Sequence, residues 1–120
     1  MKLEKIKKLS EKQLSILVEK SEYDIQCEIV NYCKLNNIIC FSVPNEATRN
    51  NSKHIKSGVM PGVSDLIVLL SNEVLFVEVK TATGKQSDKQ KAFQFKVELL
   101  GFEYYVVRSL EDFKSYLELF

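Results

Sequence analysis

Residues 61–80 read PGVSDLIVLLSNEVLFVEVK, and their reading decides the fold. Two apolar, β-branched runs, 65–70 and 74–80, flank Ser71, Asn72 and Glu73. A polar connection this short joins antiparallel neighbours, so the stretch is expected to form a hairpin. Side chains alternate faces along a strand, which sets Glu78 and Lys80 on one face and Val77 and Val79 on the other. Asp65 opens the first strand, and antiparallel pairing lays that start beside the end of the second, so Asp65, Glu78 and Lys80 converge. A carboxylate and an ammonium at the end of an apolar strand are costly unless they pair, bind metal or act. Two neighbouring carboxylates make a hard oxygen site suited to Mg²⁺ or Mn²⁺. Such a metal lowers the pKa of a bound water and neutralises phosphate charge, as phosphodiester hydrolysis requires. Lys80 would then orient the water or meet the developing negative charge. The spacing alone fits equally a structural Glu78–Lys80 ion pair with Asp65 capping the loop.

Working outward, Ser21 reads as the N-cap of a helix over 22–35 that ends at Asn36-Asn37. Residues 38–43 read as a strand stopped by Pro44. From 45 to 63 the pattern dissolves into a long polar loop, and such loops in small domains are usually functional. Beyond the hairpin, 81–85 is a second polar, glycine-containing loop. Ser87 opens a helix to about 100, with Gly101 as its stop, then a strand over 103–108 and a closing helix over 110–120. The first residues are expected to form an amphipathic helical arm, 1–20, since Leu3, Ile6 and Leu9 fall at helical spacing and Ser10 with Gln13 resembles a capping box. The remainder, 21–120, is the main domain. Helix, strand, hairpin, helix, strand, helix is the order of an α/β fold, a small sheet flanked by helices.

Composition bounds the possibilities. A length of 120 residues predicts one domain. Seventeen basic against sixteen acidic residues give a net charge of +1, which excludes a histone-like basic coat and an acidic tail. The 45% hydrophobic and 28% charged fractions are those of an ordinary globule rather than a disordered chain. The longest apolar run, 66–70, is far too short for a bilayer. The opening MKLEKIKKLSEK carries charges where a signal peptide needs apolar residues, so an intracellular, non-membrane protein is expected. Cys27, Cys33 and Cys40 are odd in number, and His54 is the single histidine, which suits neither a disulfide framework nor a zinc site. All three cysteines are expected to be reduced thiols in or near the core.

PGVSD followed by Glu78-Val79-Lys80 resembles the PD-(D/E)XK nuclease superfamily. More narrowly, the chain is similar to a stand-alone VRR-NUC domain, the virus-type replication-repair nuclease family. The likeness runs from residue 22 to about 113, through SEYDIQ, PNEATRN, SGVMPGVSDLIV, VEVKTATGKQSDKQ and YYVVRS. A bare D…ExK is a weak signal; framed by PGVSD and GKQSDKQ it is specific. The resemblance implies a restriction-endonuclease-like core and a metal-dependent endonuclease. It implies that Asp65, Glu78 and the backbone carbonyl of Val79 bind Mg²⁺ or Mn²⁺, and that Lys80 is the catalytic lysine. Family members place a Glu on the first core helix, and Glu22 matches it. At 100° per residue Glu22 shares a face with Gln26, Ile29 and Cys33, whereas Glu28 lies opposite; a helix N-terminal acid complementing the dipole is the other reading of Glu22. Gln90 matches a Gln after the motif and is also the natural capping-box partner of Ser87. The signature Pro before the Asp is absent, with Ser64 in its place.

Near-neutral net charge hides a local asymmetry. Residues 49–62 carry Arg49, Lys53 and Lys56 and no acid, and 80–96 carry five lysines against Asp88 alone. Arg49, Lys53, Lys56 and Lys85, on loops beside the motif, are the expected phosphate contacts. Lys89, Lys91 and Lys96 fit a solvated helix face. No base-reading motif is present, so selectivity should be for nucleic-acid shape. The resemblance further implies a homodimer acting on branched DNA such as four-way junctions, with no organic cofactor. The N-terminal arm and Ile55, Val59 and Met60 are candidate dimer surfaces. Two competing expectations are a non-catalytic DNA-binding or assembly module of the same fold and a sequence-specific restriction-type nuclease.

Overall fold

The computed structural model describes residues 19–44 and 57–120. The arm over 1–20, except its last two residues, lies outside the described residues, as do Arg49, Lys53, His54, Ile55 and Lys56.

Helix α1, Glu22–Leu35, begins where the extended Ser21 accepts the Asp24 N–H on its hydroxyl at 3.1 Å. It ends at Asn36, and Asn37 turns the chain with φ 57°. Ile25, Ile29 and Cys33 are its buried face. At 100° per residue Cys27 falls on the far side, and it is exposed. The expected burial of all three thiols therefore fails at Cys27, while Cys33 is buried and Cys40 half-buried.

Four strands follow, β1 Ile39–Ser42, β2 Leu66–Leu70, β3 Glu73–Val79 and, later, β4 Glu103–Val107. They form a single sheet in the order β1-β2-β3-β4. The first two pairings are antiparallel and the third is parallel. In the hairpin Leu70 pairs with Glu73, so Ser71 and Asn72 make the whole turn, with Asn72 at φ 61°. A parallel pair needs a crossover, supplied here by α2, Asp88–Leu99. Helix α3, Leu110–Leu117, closes the chain. Strands β1, β2 and β4 and the last helix are shorter than the sequence predicts, and β3 keeps its length but starts one residue early, at Glu73, which pairs with Leu70 instead of belonging to the connection. Asp65 precedes β2, Lys80 and Arg108 follow their strands, and the closing helix stops at Leu117.

The sheet separates two apolar layers. On one face Leu66, Val68, Leu75 and Val77 pack against Ile25 and Ile29 of α1 and Phe113 of α3. On the other, Phe76 and Val106 meet a smaller cluster of Phe93, Val97 and Tyr104. Each fully buried large side chain contributes about 1.5–3 kcal/mol. This is a compact α/β fold with a four-stranded mixed sheet flanked by helices. Among the described residues no helix is long and apolar enough to cross a membrane.

Candidate active site

Alternation along β3 turns Leu75, Val77 and Val79 toward α1 and α3 and leaves Phe76 and Glu78 on the α2 side. Register then fixes the neighbours. Leu66 faces Val77, so Asp65 lies beside the end of β3. There its Oδ2 accepts the backbone N–H of Val79 at 2.7 Å. Glu78 is 1% exposed. Its Oε2 accepts from Gln90 Nε2 at 2.7 Å, whereas its Oε1 is buried with no hydrogen-bond partner. Burial above all, then repulsion by the neighbouring Asp65 carboxylate, push the Glu78 carboxyl up to about 8; Lys80 opposes this in part.

Gln90 completes the expected capping box and also reaches Glu78. Its backbone N–H donates to the Ser87 hydroxyl at 3.2 Å, and its Oε1 accepts the Ser87 N–H at 2.8 Å, which completes a capping box. With the amide oxygen so engaged, the NH₂ faces Glu78. Helix α2 is seated at that height by aromatic edges, Phe76 to Phe93 at 5.6 Å and Phe93 to Tyr104 at 6.2 Å between centroids. The loop before Asp65 also docks on the first turn of α2. Gly62 has φ 81°, and a Cβ there would stand 2.2 Å from the Lys89 carbonyl oxygen, so only glycine permits the approach. Ser64, where the superfamily signature has Pro, is buried and donates its hydroxyl to the Leu66 carbonyl at 3.2 Å.

Lys80 is 8% exposed, and its Nζ lies 3.8 Å from Oε1 of Glu22. The ion pair anticipated between Glu78 and Lys80 is thus replaced by one with Glu22, while Glu78 is held by a neutral amide. Glu28, on the other side of α1, pairs with Lys20 instead. Asp65, Glu78, Val79, Lys80, Glu22 and Gln90 are therefore brought to one end of the sheet. Lys85 is exposed on the loop that follows Lys80, and Lys89, Lys91 and Lys96 are exposed along α2.

Three neighbours carry no sequence signal of their own. Tyr104 is buried beside the site, and its hydroxyl accepts from Gln86 Nε2 at 3.3 Å. Burial and the Glu78 charge push its phenol upward. Arg108 and Glu19 both hold the loop over 81–84. Only the parallel pairing of β4 on β3, in which Phe76 meets Tyr104 and Val79 meets Val107, brings Tyr104 and Arg108 here.

The donor set suits a divalent cation of the hard class. It offers two carboxylates that repel one another, one with an unengaged oxygen in a buried position. Among the described residues no group of three or more His, Cys, Asp or Glu is gathered. That is compatible with Mg²⁺, which is commonly bound through one or two carboxylates, with water and phosphate completing its shell.

A family model described as the VRR-NUC domain matches residues 5–111. A solved structure described as a VRR_NUC domain protein resembles this chain with a TM-score of 0.68 and 19% sequence identity. The match covers 82% of this chain and 86% of that one, and at such identity it is a likeness of fold. No curated protein matches the chain.

Proposed function

The chain belongs to the VRR-NUC domain family, a nuclease-type family, and on that premise we propose that it is a divalent-metal-dependent endonuclease that hydrolyses phosphodiester bonds in branched DNA. The observation that carries this reading is the pair Asp65 and Glu78, held side by side with Glu78 Oε1 lacking any partner. A structural ion-pair cluster would give Glu78 a cation; here its partner is an amide, and the carboxyl is driven to keep its proton.

Asp65, Glu78 and the Val79 carbonyl would hold Mg²⁺ or Mn²⁺. When bound, the metal supplies an acidified water and neutralises charge on the scissile phosphate. Gln90 fixes the Glu78 carboxylate through Oε2 and leaves Oε1 for the ligand. Lys80, little screened by solvent at 8% exposure, orients the attacking water or meets the charge that grows on the phosphoryl oxygens. Glu22 holds the ammonium in place. Lys85, with Arg49, Lys53 and Lys56, would carry the flanking phosphates, which position the duplex without reading its sequence. The nuclease unit would be 21–120; the segment 1–20 and the apolar residues Ile55, Val59 and Met60 stay as the two candidate dimer surfaces, and a two-fold homodimer would offer two sites to two strands of a junction.

The test is cleavage of a labelled four-way junction and its matched linear duplex with Mn²⁺, Mg²⁺ or EDTA, with Lys80→Ala alongside. Metal-dependent cutting of the junction alone, lost in the variant, is expected. Equal cutting of the linear duplex would remove the branched substrate, and intact binding without any cutting would remove the catalysis.

A further inference from the structure

We propose that Arg108 is a positioning residue for this reaction: with Glu19 it clamps the loop over 81–84 and so fixes Lys80 and Lys85, which stand at the loop's two ends. The proposal rests on the nuclease reading. Val79 pairs with Val107, and the Lys80 N–H donates to the Val107 carbonyl at 3.0 Å, so Arg108 leaves the sheet alongside Lys80. Its Nη1 then donates to the carbonyls of Thr81 at 2.6 Å, Gly84 at 2.7 Å and Ala82 at 3.5 Å.

Arg108 is exposed, and the bonds from its guanidinium to these carbonyls are charge-assisted, about twice as strong as neutral ones. None of the ion pairs among the described residues involves Arg108, so its charge is directed at this loop. Its own backbone N–H donates to Asp112 Oδ2 at 3.0 Å, which anchors it to the first turn of α3. Glu19 adds a second hold, accepting the Thr83 hydroxyl at 3.0 Å and the Thr83 N–H at 3.3 Å. The loop is also closed on itself, because the Gly84 N–H donates to the Thr81 hydroxyl at 2.9 Å. The loop is therefore held from inside, from β4 and from the segment before α1. Such restraint is what a lysine needs if its ammonium must meet a transition state, since a misplacement of about 1 Å costs about 100-fold in rate. A groove of about 400 Å³, lined by Glu19, Ala82, Arg108 and Glu111, opens onto the clamp. A small solute can therefore reach the place of the guanidinium.

The experiment uses the full chain, as wild type, Arg108→Ala, Arg108→Lys and Glu19→Gln. Steady-state cleavage of the labelled junction with Mn²⁺ is read beside Mn²⁺ affinity and amide hydrogen exchange at Thr83 and Gly84. In Arg108→Ala, kcat should fall about 100-fold, and the two amides should exchange at least about tenfold faster. Mn²⁺ affinity should be unchanged, and guanidinium at low, non-denaturing concentration should restore much of kcat. Arg108→Lys should be intermediate, and Glu19→Gln should show the same signs with smaller size. Full activity in Arg108→Ala, or loss of activity with loop protection intact and no rescue, would overturn the proposal. If Arg108→Ala does not fold, unchanged kcat in both Arg108→Lys and Glu19→Gln would overturn it equally. Failure of the nuclease reading shows separately, as a wild type that cuts no DNA with either metal, and the clamp's role in the reaction then falls with it.

Discussion

Replacing Glu78 by Gln should make the metal-free protein more stable above neutral pH. The carboxyl is 1% exposed and lies against Asp65, which together raise its pKa from the ordinary 4.5 to about 8. The folded state therefore binds this proton more tightly than the unfolded chain does. Below the ordinary value both states are protonated and Glu78 costs nothing. Between that value and about 8 the unfolded chain releases the proton while the folded one keeps it, and stability falls by about 1.4 kcal/mol per pH unit. Above about 8 the loss is complete, on the order of 4–5 kcal/mol. Gln has no charge to lose, keeps an oxygen for the Gln90 amide, and puts an NH₂ where Oε1 lacks a partner. Urea unfolding in EDTA at pH 5, 7 and 8.5 should thus show two curves close together in acid and increasingly separated, with the variant above. Adding Mn²⁺ should raise the wild type toward the variant and leave the variant unmoved. Parallel pH profiles for the two proteins would refute the reasoning, because no other titrating group differs between them.

The same carboxyl predicts that Mn²⁺ binding releases about one proton at pH 6.5 and progressively less above pH 8, which calorimetry in buffers of different ionisation enthalpy measures. Gln90→Ala removes one arm of the capping box and the bond to Glu78, and should cost about 1–2 kcal/mol in urea unfolding. Gln90→Glu keeps an acceptor for Ser87 but sets a charge against Glu78, so it should weaken Mn²⁺ binding more than it lowers stability. Gly62→Ala forces a Cβ against the Lys89 carbonyl at a φ of 81°; it should cost about 2–3 kcal/mol and lower Mn²⁺ affinity through displacement of Asp65.

Much of this arrangement was legible in the residues themselves. The hairpin, the bounds of α1 and the convergence of Asp65 with Glu78 follow from alternation, caps and a short polar connection, all of which are local signals; the turn itself is one residue tighter than the sequence suggests, because Glu73 already pairs with Leu70. Lys80 shows where such signals stop. Alternation places it with Glu78, but β3 ends at Val79, and past a strand end the backbone no longer dictates which neighbour a long side chain meets. It turns to Glu22, 58 positions earlier in the chain. Arg108 and Tyr104 were invisible for a related reason. A parallel neighbour is joined through a crossover helix, so nothing near Lys80 in sequence announces which residue will lie beside it. Cys27 stands in an apolar context, yet the helical angle separates it from Ile25 and Ile29 and leaves it exposed.

The turn at Ser71 and Asn72 has a consequence at the opposite end of the hairpin. Four residue pairs separate it from the point where Leu66 meets Val77. Because facing has a period of two, a shift of the ladder by one position would turn Glu78 toward α1 and Val79 toward α2. The Asp65–Glu78 pair is therefore phased from a distance by a turn that touches none of it. A single residue inserted between Leu70 and Glu73 would leave every acid, amide and lysine of the site in the sequence and scatter them across two faces.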